Sequence, residues 1–391
     1  MKVLRQRAEE EQRATALELF FDLVFVFAVT QLSRYLLHHL TVQGAARTLF
    51  LLLVIWWAWI YTTWMANWFD PDSVPVRLTL LVGMLASLAM AIAVPQAFGS
   101  RALPFILGYV GLQITRNAFI VAATKPETPL HVAFRRILAW SAWTSAIWVA
   151  GALLHGEART LVWITALVLD YAGPFAGYWT PGLGRTAVTD WQLEHAHFAE
   201  RFQTFIIIAL GESIVVTGAT ASGQHLTTDR WLSIALGFVL TAALWWLYFD
   251  EVAQRSAADF EAAEDQRGRL ARDAYTYLHI PIVAGIIIAA VALELVIAHP
   301  DTTLTGRQLA ALAAGPAIYL AGHLAFRLRM TGTLAPKRIA AIAAITVAVA
   351  ATSSAPSLLS LTLVAILLTM LAASETAGRL RRDHPGQNDG L

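Results

Sequence analysis

The residues best able to do chemistry in this chain are acids set in apolar surroundings. The stretch LELFFDLVFVFAVTQLS, Leu17 to Ser33, carries Glu18 and Asp22 four positions apart, which puts both carboxylates on one face of a helix. A second stretch, EHAHFAERFQTFIIIALGESIVVTG, begins at Glu194 and holds His195, His197, Glu200, Arg201 and Glu212. Ionisable groups at bilayer depth are costly and mark proton relays, ion paths or ligand sites. At 1.5 Å per residue, Glu212 lies about 18 Å along a helix from Glu200. No headgroup reaches it there, so it is the first candidate for a group that binds a proton or a ligand.

Each of these residues also has a structural reading. Thr15-x-x-Glu18 ahead of an apolar run fits a capping box, which explains Glu18 as a helix-capping acid. Glu212 could be a carboxyl hydrogen-bonded between helices. Asp22 is not explained by capping; it needs a partner from another segment, and Arg201 is the expected one. Further polar candidates are Asp170, which Arg116 could neutralise, His279 near the kink-forming Pro281, and His323. Trp56, Trp57, Trp245, Trp246 and Tyr275 lie inside apolar segments and could line an apolar or cation-binding cavity or simply pack. Glu194-x-x-His197 has the spacing of a carboxylate–histidine ligand pair, but no second pair exists, so no metal is expected. No cofactor is expected either: there is no glycine-rich phosphate loop, nucleophile elbow or zinc-protease motif.

The elements that must position these groups follow from composition. The 391 residues are 57% hydrophobic and 14% charged, with mean hydropathy +0.57; a soluble domain carries roughly 25% charged residues. The chain therefore reads as all-α and polytopic, with the lipid bilayer as its first partner. A net charge of +1 leaves no footprint for nucleic acid. Without cysteine there are no disulfides, thiolate metal sites or thiol nucleophile. The N-terminus lacks a signal-peptide pattern, so the first apolar segment is expected to stay in the mature protein.

A span needs about 20 mostly apolar residues. Twelve are expected, near 16–37, 45–69, 75–95, 103–123, 134–154, 160–179, 198–218, 231–250, 274–297, 307–327, 337–354 and 357–378. With twelve alternating spans, 22 of the 28 Lys and Arg residues fall on the side of the N-terminus. The positive-inside rule then puts both termini in the cytoplasm. Segment 251–272 is expected to be a cytoplasmic helical insert, and 381–391 a disordered tail.

The order of motifs also suggests an internal repeat. Glu18-x-Phe20 matches Glu200-x-Phe202, and Trp68-Phe69-Asp70 matches Tyr248-Phe249-Asp250. Tyr109-x-x-x-Gln113 matches Tyr319-x-x-x-His323, and Arg135-Arg136 matches Lys337-Arg338. After a cytoplasmic N-terminus, 1–15, this predicts two six-helix halves, 16–180 and 198–380, joined by a cytoplasmic linker at 181–197. Having six spans each, they would share one orientation.

The stretches LELFFDLVFVFAVTQLS and FAERFQTFIIIALGESIVVTG, with WFDP after the second segment and LYFDE after the eighth, resemble the signatures of the bacterial low temperature requirement protein A family. The resemblance implies a multi-pass protein of the bacterial cytoplasmic membrane and makes Glu18, Asp22, Glu200, Arg201 and Glu212 signature residues. It implies no substrate. Three functions fit: a proton-coupled secondary transporter of a small organic or lipid-like solute, a membrane-embedded enzyme acting on a lipid or isoprenoid, and a non-catalytic sensor or assembly factor. The transporter reading is preferred, because twelve spans, a parallel repeat and matched carboxylates suit it.

Overall fold

The structure is a computed structural model and describes residues 3–4, 14–186, 195–223, 225–252 and 267–383. Among these the chain is helical, with isolated bridges at Leu4–Phe69 and Thr180–Gly184. Its long helices are α1 (Ala16–His38), α2 (Val42–Trp68), α3 (Val74–Ala93), α4 (Ala102–Ala123), α5 (Pro129–Leu153) and α6 (Gly156–Ala176). After these come α7 (His195–Ser222), α8 (Thr228–Leu247), α9 (Leu278–Ala298), α10 (Gly306–Thr331), α11 (Pro336–Ala351) and α12 (Ser357–Asp383). Residues 187–194 of the expected linker, 253–266 of the expected insert and 384–391 of the expected tail lie outside the described residues.

Twelve long helices thus stand near the expected positions, but nine of them are long and apolar enough to cross a membrane; α5, α6 and α11 are not among these. Helix α11 has 16 residues, about 24 Å of rise against an apolar core of about 30 Å. Helix α5 includes Arg135 and Arg136, and α6 includes Glu157, Arg159 and Asp170.

The helix starts follow local chemistry. Thr15 and Glu18 form the capping box at α1. Thr41, Thr128 and Thr227 each accept a backbone N–H at the starts of α2, α5 and α8. Helices α6 and α10 stop at Gly177 and Gly332, both in the left-handed conformation that glycine adopts without strain.

The chain divides into two compact units: Met1–Phe205 with Ala263–Thr276, and Ile206–Ala262 with Tyr277–Leu391. The first turns of α7 therefore group with α1–α6, and the rest of α7 with α8–α12. In unit one α1 packs on α2 and α3, and α3, α4, α5 and α6 follow in sequence against one another. Helix α2 is the enclosed one; being apolar around its whole circumference, it is the helix that a bundle can surround. A π-turn at Ala271–Tyr277 leads into α9. The Trp56 indole N–H of α2 donates to the Thr276 carbonyl in that turn, at 2.7 Å.

In unit two α9, α10, α11 and α12 follow one another, and α12 returns to α8. Helices α9 and α10 meet through glycine: a Cβ at Gly285 would lie 2.5 Å from the Tyr319 nitrogen, and one at Gly315 would lie 2.7 Å from the Ala289 nitrogen.

Outward faces are apolar. On α3, Leu78, Leu81, Val82, Leu85, Leu88 and Ile92 are exposed at helical spacing, with Leu85 70% exposed. A continuous apolar stripe turned outward on one helix after another suits lipid and not water.

Candidate functional site

Helices α1 and α7 each present ionisable groups four residues apart, and in unit one these meet in pairs. Arg201 donates from Nη1 to Asp22 Oδ2 at 2.7 Å and from Nη2 to Asp22 Oδ1 at 2.8 Å, the bidentate fork that suits guanidinium and carboxylate. One turn earlier His197 Nε2 lies 2.7 Å from Glu18 Oε1. Both rungs span 179 residues of sequence, so the two helices run parallel and in register. All four residues are at most 1% exposed.

Other helices complete the ladder. The Trp59 indole N–H on α2 donates to Asp22 Oδ1 at 2.8 Å. Asn67, near the end of α2, places its amide Nδ2 3.3 Å from His197 Nδ1. As placed, the amide donates to Nδ1, so the ring is neutral and gives its Nε2 proton to Glu18. With the amide turned over, its oxygen would instead accept a proton from Nδ1. Glu18 Oε2 accepts the Thr15 backbone N–H at 2.8 Å, and Glu200 Oε2 accepts that of Ala14 at 2.7 Å. The acids that sequence matches as counterparts thus hold consecutive peptide groups ahead of α1.

Aromatic rings wall this ladder. Trp56 and Trp59 meet Phe202 and Phe205, and Tyr275 meets Phe198 and Phe202. Trp56, Trp57 and Tyr275 are buried. Trp245 and Trp246 are 44% and 46% exposed, which corrects the expectation that they line an interior cavity: they stand on the outer face of α8, where Trp246 donates to Thr376 Oγ1.

Asp170 and Arg116 form no ion pair, contrary to expectation. Asp170 Oδ2 accepts from Tyr109 at 2.7 Å and from the Trp148 indole at 2.9 Å. Gln113 donates to the Tyr109 hydroxyl at 3.0 Å, and Arg116 donates to Gln113. Two neutral side chains therefore separate the charges, and Arg116 sits 5.0 Å from the centre of the Tyr61 ring.

The remaining candidates lie in unit two. Glu212 is buried beside Ser213 in α7. His279 Nε2 lies 3.0 Å from the Tyr248 hydroxyl. His323 packs its ring against Tyr319 and Tyr248. Arg338 forks onto Glu375 at 2.8 and 2.9 Å and donates to the Leu247 carbonyl at 3.2 Å. Glu194 lies outside the described residues.

Sequence reasoning weighed His197 only as a metal ligand and did not pair Trp59 or Asn67 with the buried acids or His197. The signal for His197 was available: it precedes Arg201 by four, as Glu18 precedes Asp22.

Comparison with known proteins gives this site a family. The model of the bacterial low temperature requirement A protein (LtrA) family matches residues 13–373. The chain belongs to the bacterial low temperature requirement A protein family. It is also 37% identical over 325 residues, 82% of this chain and 78% of the relative, to the uncharacterized protein RA0937 of Rhizobium meliloti (strain 1021). No solved structure matches it. Both halves of the ladder fall inside the family match. Membership and the apolar helices make this a multi-pass bacterial membrane protein, and they name no reaction.

Proposed function

We propose that this protein is a proton-coupled secondary transporter of a small organic or lipid-like solute. The observation that carries the reading is the buried Glu18–His197 pair. Arg201 is always charged and neutralises Asp22, so that rung is fixed. The Glu18–His197 rung is not fixed, because either partner can hold the proton, and carboxylate–histidine chains are the usual relays of pumps and transporters. Asn67 suits this role: its amide serves the ring in either protonation state by turning over. Glu212, farther along the same helix, is the proposed second station for the proton.

The architecture proposed with this function is two parallel six-helix repeats, with both termini on the cytoplasmic face of the cytoplasmic membrane. The one-sided distribution of Lys and Arg supports the orientation. The successive packing of α3 to α6 and of α9 to α12 supports the repeat. The pattern is unequal, because the most enclosed helices are α2 and α9, which the repeat does not pair.

One observation favours a non-catalytic sensor or assembly role: Asp22 is fully satisfied by Arg201 and Trp59, as a purely structural lock would be. Proteoliposomes with a trapped pH dye separate the two. A panel of organic acids, amines and lipid-like solutes should include one that drives proton flux through the wild type, and Glu212→Gln should abolish that flux. Unchanged flux in Glu212→Gln removes Glu212 from the proton path.

A further inference from the structure

In unit two, α8 runs into a π-turn, Tyr248–Val252, and such turns collect at functional sites. Its first residue stands between two histidines. The Tyr248 hydroxyl lies 3.0 Å from Nε2 of His279 on α9, and its ring meets that of His323 on α10 edge-on, 5.5 Å between centres. All three side chains are buried.

The two histidines differ in how they are satisfied. His279 has the Tyr248 hydroxyl. His323 is 0% exposed, and neither of its ring nitrogens has a hydrogen-bond partner among the described residues. A neutral imidazole carries one N–H donor and one acceptor nitrogen, so two polar groups go unmet. Leaving buried polar groups unmet is expensive, and native chains seldom do so without a use.

The neighbours of His323 are engaged elsewhere. The Tyr319 ring lies 4.4 Å from it, centre to centre, but the Tyr319 hydroxyl donates to the Leu244 carbonyl at 2.5 Å. His279 and Arg338 are the titratable groups whose charge bears on His323. Arg338 is balanced by its fork on Glu375, and Asp250, farther along the π-turn, is balanced by Arg379. The Tyr248 hydroxyl is thus the polar group placed to serve either histidine. Its backbone suits a change of aim, because the Tyr248 N–H is divided between the Leu244 and Trp245 carbonyls. A π-turn also holds one residue more than an α-turn, and shifting that extra residue along the chain redirects the side chains beside it.

We infer that Tyr248 shares its hydroxyl between His279 and His323 and relays a proton from one to the other. In one position the phenol donates to His279 Nε2; in the other its oxygen accepts an N–H of His323. With an excess proton on His323, that ring gives one N–H proton to the phenol oxygen while the phenol proton passes to His279 Nε2. His323 ends neutral, His279 protonated and the tyrosine neutral. The relay rests on the proton-coupled reading above; the sharing of the hydroxyl does not.

Nitrogen NMR of the full chain in detergent, with the histidine rings labelled with nitrogen-15, tests the sharing. The chain has eleven histidines, and the loss of one signal in His279→Gln or His323→Gln assigns these two. Tyr248→Phe keeps the ring and removes only the hydroxyl, so the ring-nitrogen signals of both histidines should shift. A shift confined to His279 overturns the inference. His323→Phe keeps a ring and removes both unmet nitrogens. It should melt at or above the wild-type temperature, and its His279 signals should shift because Tyr248 then serves His279 alone. His279 signals that stay at their wild-type positions in His323→Phe overturn the inference as well. Proton flux in proteoliposomes with a trapped pH dye tests the relay: Tyr248→Phe should lose the solute-dependent flux of the wild type. Full flux in Tyr248→Phe contradicts the relay. A wild type that moves no proton removes the transport reading and the relay with it, while the NMR result still decides the sharing.

Discussion

Asp22 is the residue with the most at stake in being paired. It is buried in an apolar segment, and Arg201 and Trp59 between them give it three hydrogen bonds. Removing one member of a buried ion pair strands the other, at about 3–5 kcal/mol. Arg201→Met should therefore destabilise the protein by about that amount, read by thermal unfolding in detergent. Adding Asp22→Leu should recover most of the loss, because an apolar pair of similar volume is often as stable as a buried ion pair. A loss below about 1 kcal/mol in Arg201→Met would show that the pair carries little. The pairing itself was legible, since Asp22 lacked a capping role and Arg201 was the cation on the matching segment. The second rung was not read. The search for a repeat aligned Glu18 with Glu200 as counterparts, whereas the contact joins Glu18 to His197, three residues earlier. Counterparts and partners are different relations, and only a structure separates them when they lie on the same helix.

Helix packing sets the next level. Helices α9 and α10 approach so closely at Gly285 that an added Cβ would meet the backbone of Tyr319, which cannot move aside as a side chain could. Gly285→Ala should cost about 1–3 kcal/mol through overpacking. Gly237→Ala is the control: its Cβ would first meet the tip of Leu293 at 3.4 Å. The gain in helix propensity, up to about 1 kcal/mol, should leave it neutral or slightly stabilised. Equal losses in both variants would show that the close approach is not what the glycine serves.

At this scale sequence located the helices well, because long apolar runs and threonine caps are local signals. It did not show which polar groups face one another across helices. Asp170 and Arg116 looked like a pair by charge, but Tyr109 and Gln113 stand between them. Nor did it show which tryptophans face inward: Trp56 and Trp245 sit in similar apolar runs, and only packing distinguishes them.

For the whole molecule, the outward apolar stripes and the buried charges belong to one design, inverted relative to a soluble protein. Leu85 lies on the outer stripe of α3, so Leu85→Arg should insert poorly, at about 2.5–3.5 kcal/mol for an arginine near mid-helix. The yield of membrane-integrated protein measures this, and an unchanged yield would mean that this face is not lipid-exposed.

The proposed function rests on the Glu18–His197 rung acting as a proton site, and Glu18→Gln tests it most directly. Glutamine fills the same capping position and keeps the side-chain length, so the variant should fold with a loss of about 1–2 kcal/mol from the weakened charge-assisted bond. It cannot exchange a proton. In proteoliposomes with a trapped pH dye, the wild type should show solute-dependent proton flux and folded Glu18→Gln should show none. Wild-type flux in Glu18→Gln, or a wild type that moves no proton with any solute of the panel, would contradict the account.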